Sequence, residues 1–197
     1  MTMPPSTTAI LAPAASEILD FWFPPGTRGE RREWFRKDAG FDSTVRERFG
    51  AALAAGLAGA FGDWCAHARG SLARIVLLDQ FTRNAFRDTP KAFAGDVAAL
   101  ATAEDALEQG FDRELALHER WFMYMPFEHA ESLAEQDRSV ALFRALAGDG
   151  LAGPLDWALR HRAVIERFGR FPHRNAILGR ESTAEEIAFL REPNSSF

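Results

Sequence analysis

Apolar side chains along this chain recur every three to four residues, the spacing of a helix, and almost nowhere alternate with polar ones as in a half-buried strand. Ile18, Leu19, Phe21, Trp22 and Phe23 follow Ser16 and run into Pro24-Pro25-Gly26, which predicts a short helix closed by residues that cannot continue it. Trp34 and Phe35 predict a second between Glu30 and Lys37. Phe41, Val45, Phe49 and Leu53 repeat at i+4 and predict a third that fades at Gly56 and Gly59. Gly59 to Gly70 reads as a loop, after which Ser71 is a candidate N-cap for an almost wholly apolar helix over Leu72 to Phe86. Pro90 opens the next, with Phe93, Val97, Leu100 and Leu107 on one face and Gly110 as its stop. Asp112 to Met125, Pro126 to Ala147 and Leu155 to Phe171 follow, and short helices after Pro172 and Ser182 bring the total to about ten. Short connections predict an all-α fold of antiparallel helical hairpins. Residues 1–15, interrupted by Pro4, Pro5 and Pro13, read as a flexible tail, and 16–197 as a single helical domain.

The same periodicity shows which polar side chains share a face with the core. On the helix expected from Pro126, His129 and Gln136 fall within the stripe of Leu133, Val140 and Phe143, while Glu128, Glu131 and Glu135 form an acidic row beside it. His161 lies among Trp157, Val164, Phe168 and Phe171 on the following helix. Asp79 and Arg83, an acid and a base at i and i+4, sit on the most apolar helix of the chain. A buried polar group without a partner costs about 1–3 kcal/mol, and a charge more. Asp79, Arg83, His129, Gln136 and His161 must therefore meet one another, backbone groups, water or a ligand. A structural network and a shared site both satisfy that requirement.

Charge adds a second location. The net charge of -5 gives no chain-wide attraction to nucleic acid or to an anionic membrane, yet 21 of the 23 basic residues are arginine. Arg160, Arg162, Arg167, Arg170, Arg174 and Arg180, against the single acid Glu166, put +5 into 21 residues and leave -10 for the remainder. Pro172 starts a helical turn there, and guanidinium groups beside open backbone N–H groups suit a carboxylate or phosphate. Arg170, His173, Arg174, Asn175 and Arg180 thus make a candidate anion-binding corner. Pairing of these cations with Glu128, Glu131, Glu135 and Asp137 is the competing reading.

Other chemistries find no support. Cys65 is the only cysteine, so no intramolecular disulfide or zinc-thiolate cluster is expected, and a cytoplasmic location fits. The N-terminus lacks the charged and continuous apolar regions of a secretory signal, and no 18-residue apolar run exists for a membrane span. Glu128-His129-x-Glu131 has metal-ligand residue types, but adjacent residues diverge by about 100° on a helix, so no metal site is expected. No cofactor motif, Gly-rich phosphate loop or nucleophile elbow occurs.

Four blocks, taken together, carry a family resemblance. Leu19-Asp20-Phe21-Trp22-Phe23, Leu77-Leu78-Asp79-Gln80-Phe81-Thr82-Arg83-Asn84, Pro126-Phe127-Glu128-His129-Ala130-Glu131 and the long run Arg167 to Arg180 resemble the domain-of-unknown-function family 924. Thr82 and Ala130 stand where proline and serine are expected, so no hydroxyl lies next to His129 at position 130. The resemblance implies a tetratricopeptide-like helical array and brings no biochemical activity with it, but its blocks coincide with the polar residues above. The sequence reading favours a binding module for a small anion, acidic peptide or protein partner, through Arg83, Asn84, Glu128, Gln136 and the arginine corner. The alternative is an enzyme in which His129 or His161 is a general acid/base, oriented by Asp79, with an arginine holding an anionic substrate. A purely structural role for the polar set is the third.

Overall fold

The first helix, α1 (Ala15–Trp22), buries Ile18, Leu19 and Trp22. In this computed structural model the described residues are 14–26, 29–193 and 195, so the expected tail lies almost wholly outside them. The short α2 (Arg32–Phe35) buries Trp34, whose indole Nε1 donates to the Trp22 carbonyl at 3.0 Å. The third helix, α3 (Ala39–Leu57), is capped by the Asp38 carboxylate on the Phe41 N–H and buries Val45, Phe49 and Leu53 of the i+4 row together with Ala52, while Phe41 is half-buried against the same core.

The central rod starts earlier than its cap residue suggests. α4 (Ala68–Ile75) passes directly into a π-helical turn, Val76–Phe81, and then into α5 (Thr82–Ala85). Ser71 lies inside α4, with its N–H on the His67 carbonyl, rather than capping it. The expected loop before it contains a 3₁₀ turn, Gly62–Ala66, and the first residues of α4. Every side chain from Ile75 to Thr82 is buried, which is why the run is apolar nearly all round. α6 (Asp96–Glu108) faces this rod with small residues, Ala99, Thr102, Ala103 and Ala106, so Val97 projects outward and is 83% exposed. Leu100 and Leu107 of the expected stripe pack at the margin of the core, and Val97 is its one outlier, because the close approach of two helices selects small side chains rather than large ones.

A second correction concerns Pro126. Helix α7 (Leu117–His129) continues through that proline, and the break falls at Ala130, which is extended at φ -75°, ψ 133°. A proline removes one ladder donor without forbidding continuation when packing on both sides holds the helix; residues 121–128 are all buried. His129 therefore ends α7, and Gln136 belongs to α8 (Leu133–Gly148), so the two do not share one helical face. α9 (Gly153–Phe168) ends at Gly169 in the left-handed region, φ +70°. Leu133 and Trp157, expected on buried stripes, are 42% and 44% exposed. Only a three-residue 3₁₀ turn, Pro172–Arg174, follows Phe171, and α10 (Ala184–Phe189) is closed by a capping box between Thr183 and Glu186.

No strand occurs among the described residues. α7 and α8, and α8 and α9, pack as sequence neighbours. The first half departs from neighbour-on-neighbour packing: α1 lies on α4, α3 on α5 and the π turn, and α4 on both α6 and α7. One hydrophobic core runs from Ile18 to Ala158, with Val164, Ile165 and Phe171 as a satellite.

Candidate functional site

The π turn sets up the polar site. Hydrogen bonds in such a turn skip one residue further than in an α-helix, so carbonyls are left for side chains to satisfy. The Thr82 hydroxyl donates to the Leu78 carbonyl at 2.7 Å, and Arg83 Nη1 donates to the Asp79 carbonyl at 2.8 Å. Gly95 makes room for α6 against the same turn, since a Cβ there would be driven into the Leu78 carbonyl oxygen. Asp96, the first residue of α6, thereby reaches Arg83 and takes both guanidinium nitrogens, at 2.8 and 3.0 Å.

Asp79 is fully buried and holds three side chains. His129 Nδ1 lies 2.7 Å from Oδ1, Arg83 Nη1 lies 2.9 Å from the same oxygen, and Gln80 Nε2 donates to Oδ2 at 2.5 Å. Burial raises the pKa of Asp79, but Arg83 and then His129 outweigh it and keep the group well below the usual carboxylate range. An ionised carboxylate only accepts, so Nδ1 of His129 carries the proton. Burial and then Arg83 lower the pKa of His129, against the opposing pull of Asp79, so the imidazole is neutral at physiological pH. Nε2 is then its lone-pair nitrogen. The pair forms an Asp-His dyad of the kind that prepares an imidazole for general-base work.

Arg174 closes the arrangement from the other side. Its guanidinium lies between the rings of Phe93 and Phe171, with Cζ 4.7 and 4.6 Å from their centroids. It donates to the His129 carbonyl at 3.1 Å and to Asp96 at 3.3 Å, while its buried Nε has no hydrogen-bond partner. Burial, then Arg83, brings its pKa down to about 10, still far above neutrality. Gln136 secures the same corner, since Nε2 donates to the Glu128 and Ala130 carbonyls at 2.7 and 2.9 Å and satisfies the end of α7. His161 stands beside His129, ring centroids 6.3 Å apart, with its Nδ1 3.0 Å from the buried Glu128 carboxylate. Burial and then Arg174 pull the pKa of His173 down to about 3.

These groups meet at one cleft of about 450 Å³, a volume suited to a small molecule. Arg83, Asn84, His129, His161, His173 and Arg174 line it, and Asp79 lies beneath them. Arg36, Lys37 and Arg87 also line it, with Glu33 and Asp88 as the two acids among its walls. Arg87 is tied to the buried Asp42 by two bonds of 2.8 and 3.0 Å, and Asn84 donates to the same carboxylate. Lys37 meets Asp88 at the surface, whereas Arg36 makes no ion pair with any described residue.

Other sequence candidates lie elsewhere. Arg170 donates two hydrogen bonds to the Glu186 carboxylate, and Arg180 grips Glu131 through both terminal nitrogens. Asn175 is buried between Ser182 and Arg180, and Glu128 and Gln136 sit behind the histidines rather than on the cleft wall. Arg160, Arg162 and Arg167 also meet carboxylates, so of the arginine segment only Arg174 contributes to the cleft. The turn after Pro172 is too short to act as a helix N-terminus for an anion. Sequence reasoning missed Asp96, Gln80, Arg36 and Arg87. Gly95-Asp96 before an alanine-rich helix was the available signal for the first, but an acid in a first helical turn ordinarily faces solvent.

Comparisons with known proteins agree with this architecture without adding an activity. The structure is similar to that of a protein of unknown function from Agrobacterium tumefaciens, at 43% identity and a TM-score of 0.82, over 90% of this chain and 96% of that one. No curated protein matches the chain. The family described as bacterial proteins of unknown function (DUF924) matches residues 18–194, nearly the whole chain, with the Asp79, His129 and Arg174 blocks inside the matched span, and the protein belongs to that family.

Proposed function

We propose that the cleft is the active site of an enzyme acting on a small anionic molecule, with His129 as general base and Asp79 as the residue that holds it. The 2.7 Å contact between Asp79 Oδ1 and His129 Nδ1, at the wall of an open cleft, carries this reading. It fixes the proton on Nδ1 and leaves Nε2 to accept one from water or from an acidic position of the substrate. The cationic rim supports the substrate class through Arg36, which makes no ion pair with a described residue, with Lys37 and Arg87 beside it, each sharing one carboxylate. Arg83 and Arg174 are already engaged with Asp79, Asp96 and the His129 carbonyl, and they position the base rather than receive the ligand. Hydrolysis of an anionic ester is the simplest reaction these parts perform, with His129 deprotonating the attacking water.

The rim alone would equally support a module that binds an anion without changing it, and the dyad is what favours chemistry. His129→Asn is the discriminating variant, because an asparagine amide reproduces the Nδ1–H bond to Asp79 and deletes only Nε2. Wild type is expected to turn over at least one member of a panel of p-nitrophenyl phosphate and p-nitrophenyl esters bearing a second carboxylate. His129→Asn should lose about 10²–10⁴-fold in kcat at an unchanged melting temperature. Thermal stabilisation by the product anions with no turnover by wild type would establish binding alone. Neither stabilisation nor turnover would remove the cleft from consideration as a site.

A further inference from the structure

The cleft contains a second imidazole, on a different helix, whose Nδ1 is held by a backbone carbonyl with a different carboxylate beside it. Nδ1 of His161 lies 2.9 Å from the Trp157 carbonyl and 3.0 Å from Glu128 Oε1. The carbonyl can only accept, so Nδ1 carries a proton whatever the charge on the ring. The exchangeable proton of His161 is thus the one on Nε2, as it is for His129. Glu128 is 3% exposed, and its Oε2 is buried with no hydrogen-bond partner. The Glu128 carboxylate thus lies on the dry side of the His161 ring, away from the cleft wall. The two rings are 6.3 Å apart between centroids at an interplanar angle of 56°, and both line the cleft. A small molecule held in the cleft would meet both rings.

We propose that His161 is a second proton-transfer residue, paired with His129 across the bound substrate, and that Glu128 positions it. This rests on the reading of the cleft as an active site and adds a reaction class: one in which a proton leaves the substrate, or its attacking water, at one point and another is delivered at a second. His129 Nε2 takes the first proton as the H–X bond breaks. The Nε2–H bond of a protonated His161 breaks as a new bond to hydrogen forms at the leaving or rearranging atom. The substrate loses one proton and gains one, His129 ends protonated and His161 neutral, and exchange with water restores both rings. No oxidant, metal or further reactant is required.

Nitrogen-15 NMR of the histidine side chains in the full-length protein tests this without a known substrate, using inorganic phosphate as the probe anion. His161, in its neutral form, is expected as the Nδ1–H tautomer, and added phosphate is expected to shift the Nε2 signals of His129 and His161 in one titration. His161→Asn keeps a donor for Trp157 and Glu128 while removing Nε2. It should leave the His129 shift in place and, on any ester that wild type hydrolyses, lower kcat by about 10²-fold or more. An Nε2–H tautomer at His161, a stationary His161 signal while His129 moves, or full activity in His161→Asn would overturn the second residue and leave His129 standing. If neither histidine responds to phosphate and no panel ester is turned over, the active-site reading falls together with this one.

Discussion

Asp79 has no exposed surface and carries its charge among three donors, so its contribution depends on their staying in place. In Asp79→Asn the side chain keeps its shape and loses its charge. Breaking a buried ion pair in this way costs about 3–5 kcal/mol, and the lower end is expected because Arg83 retains Asp96. Urea unfolding of the variant at neutral pH measures it. The substitution also removes the interaction that raises the pKa of His129, so the imidazole should stay neutral to a still lower pH. At this scale the sequence was informative: a charged i, i+4 pair and two histidines on apolar stripes cannot be buried without partners, and Asp79, Arg83 and His129 meet one another while His161 meets the Trp157 carbonyl and Glu128. It was blind to Asp96 and Asp42, whose partners Arg83, Arg174 and Arg87 lie 13 or more positions away, beyond any helical period. The arginine corner failed for the reverse reason. Arg170 and Arg180 look available in sequence, but Glu186 and Glu131 reach them across turns that periodicity does not describe.

Among elements, the π turn does most to shape the site, and nothing in residues 76–81 announces it. Its carbonyls are taken up by Thr82 and Arg83, and Gly95 lets α6 approach. Gly95→Ala is expected to cost about 1–3 kcal/mol through the clash with the Leu78 carbonyl. A plain propensity effect would have stabilised the start of a helix instead, so a lowered urea midpoint, together with a shifted Asp96 carboxylate signal in NMR, distinguishes the two. The misplaced break at Pro126 shows the same limit. Proline signals an interruption, yet the burial of residues 121–128 held α7 together until Ala130, and that shift put His129 at a helix end where Gln136 and Arg174 could reach its neighbouring carbonyls. Helix class, by contrast, was legible throughout, because α1 and α3 bury Ile18, Leu19, Trp22, Val45, Phe49 and Leu53, most of the side chains that their spacing selected.

For the whole molecule, the neutral histidines tie stability to pH. An unfolded histidine takes up a proton near pH 6.5, whereas His173 in the fold resists until about pH 3, and the pKa of His129 is also lowered. The unfolded state therefore binds more protons across that interval, and stability rises with pH there. The contribution is complete above pH 6.5, declines as pH falls toward 3, and levels below it. Each histidine adds at most about 1.4 kcal/mol per pH unit. Glu186, held at about 2 by its bond to Arg170, loses its contribution in a lower window as it protonates. Thermal unfolding from pH 7 to pH 4 should show a falling melting temperature, and His173→Phe should flatten the upper part of that fall.

General-base work at the cleft depends most on the state of one ring in the intact protein: His129 must be neutral at physiological pH, with its proton on Nδ1 and its lone pair on Nε2. A pH titration followed by nitrogen-15 NMR of that side chain reads both properties directly. The expected result is the Nδ1–H tautomer and a midpoint below the ordinary histidine value of about 6.5. An Nε2–H tautomer, or a midpoint at or above 6.5, would contradict it.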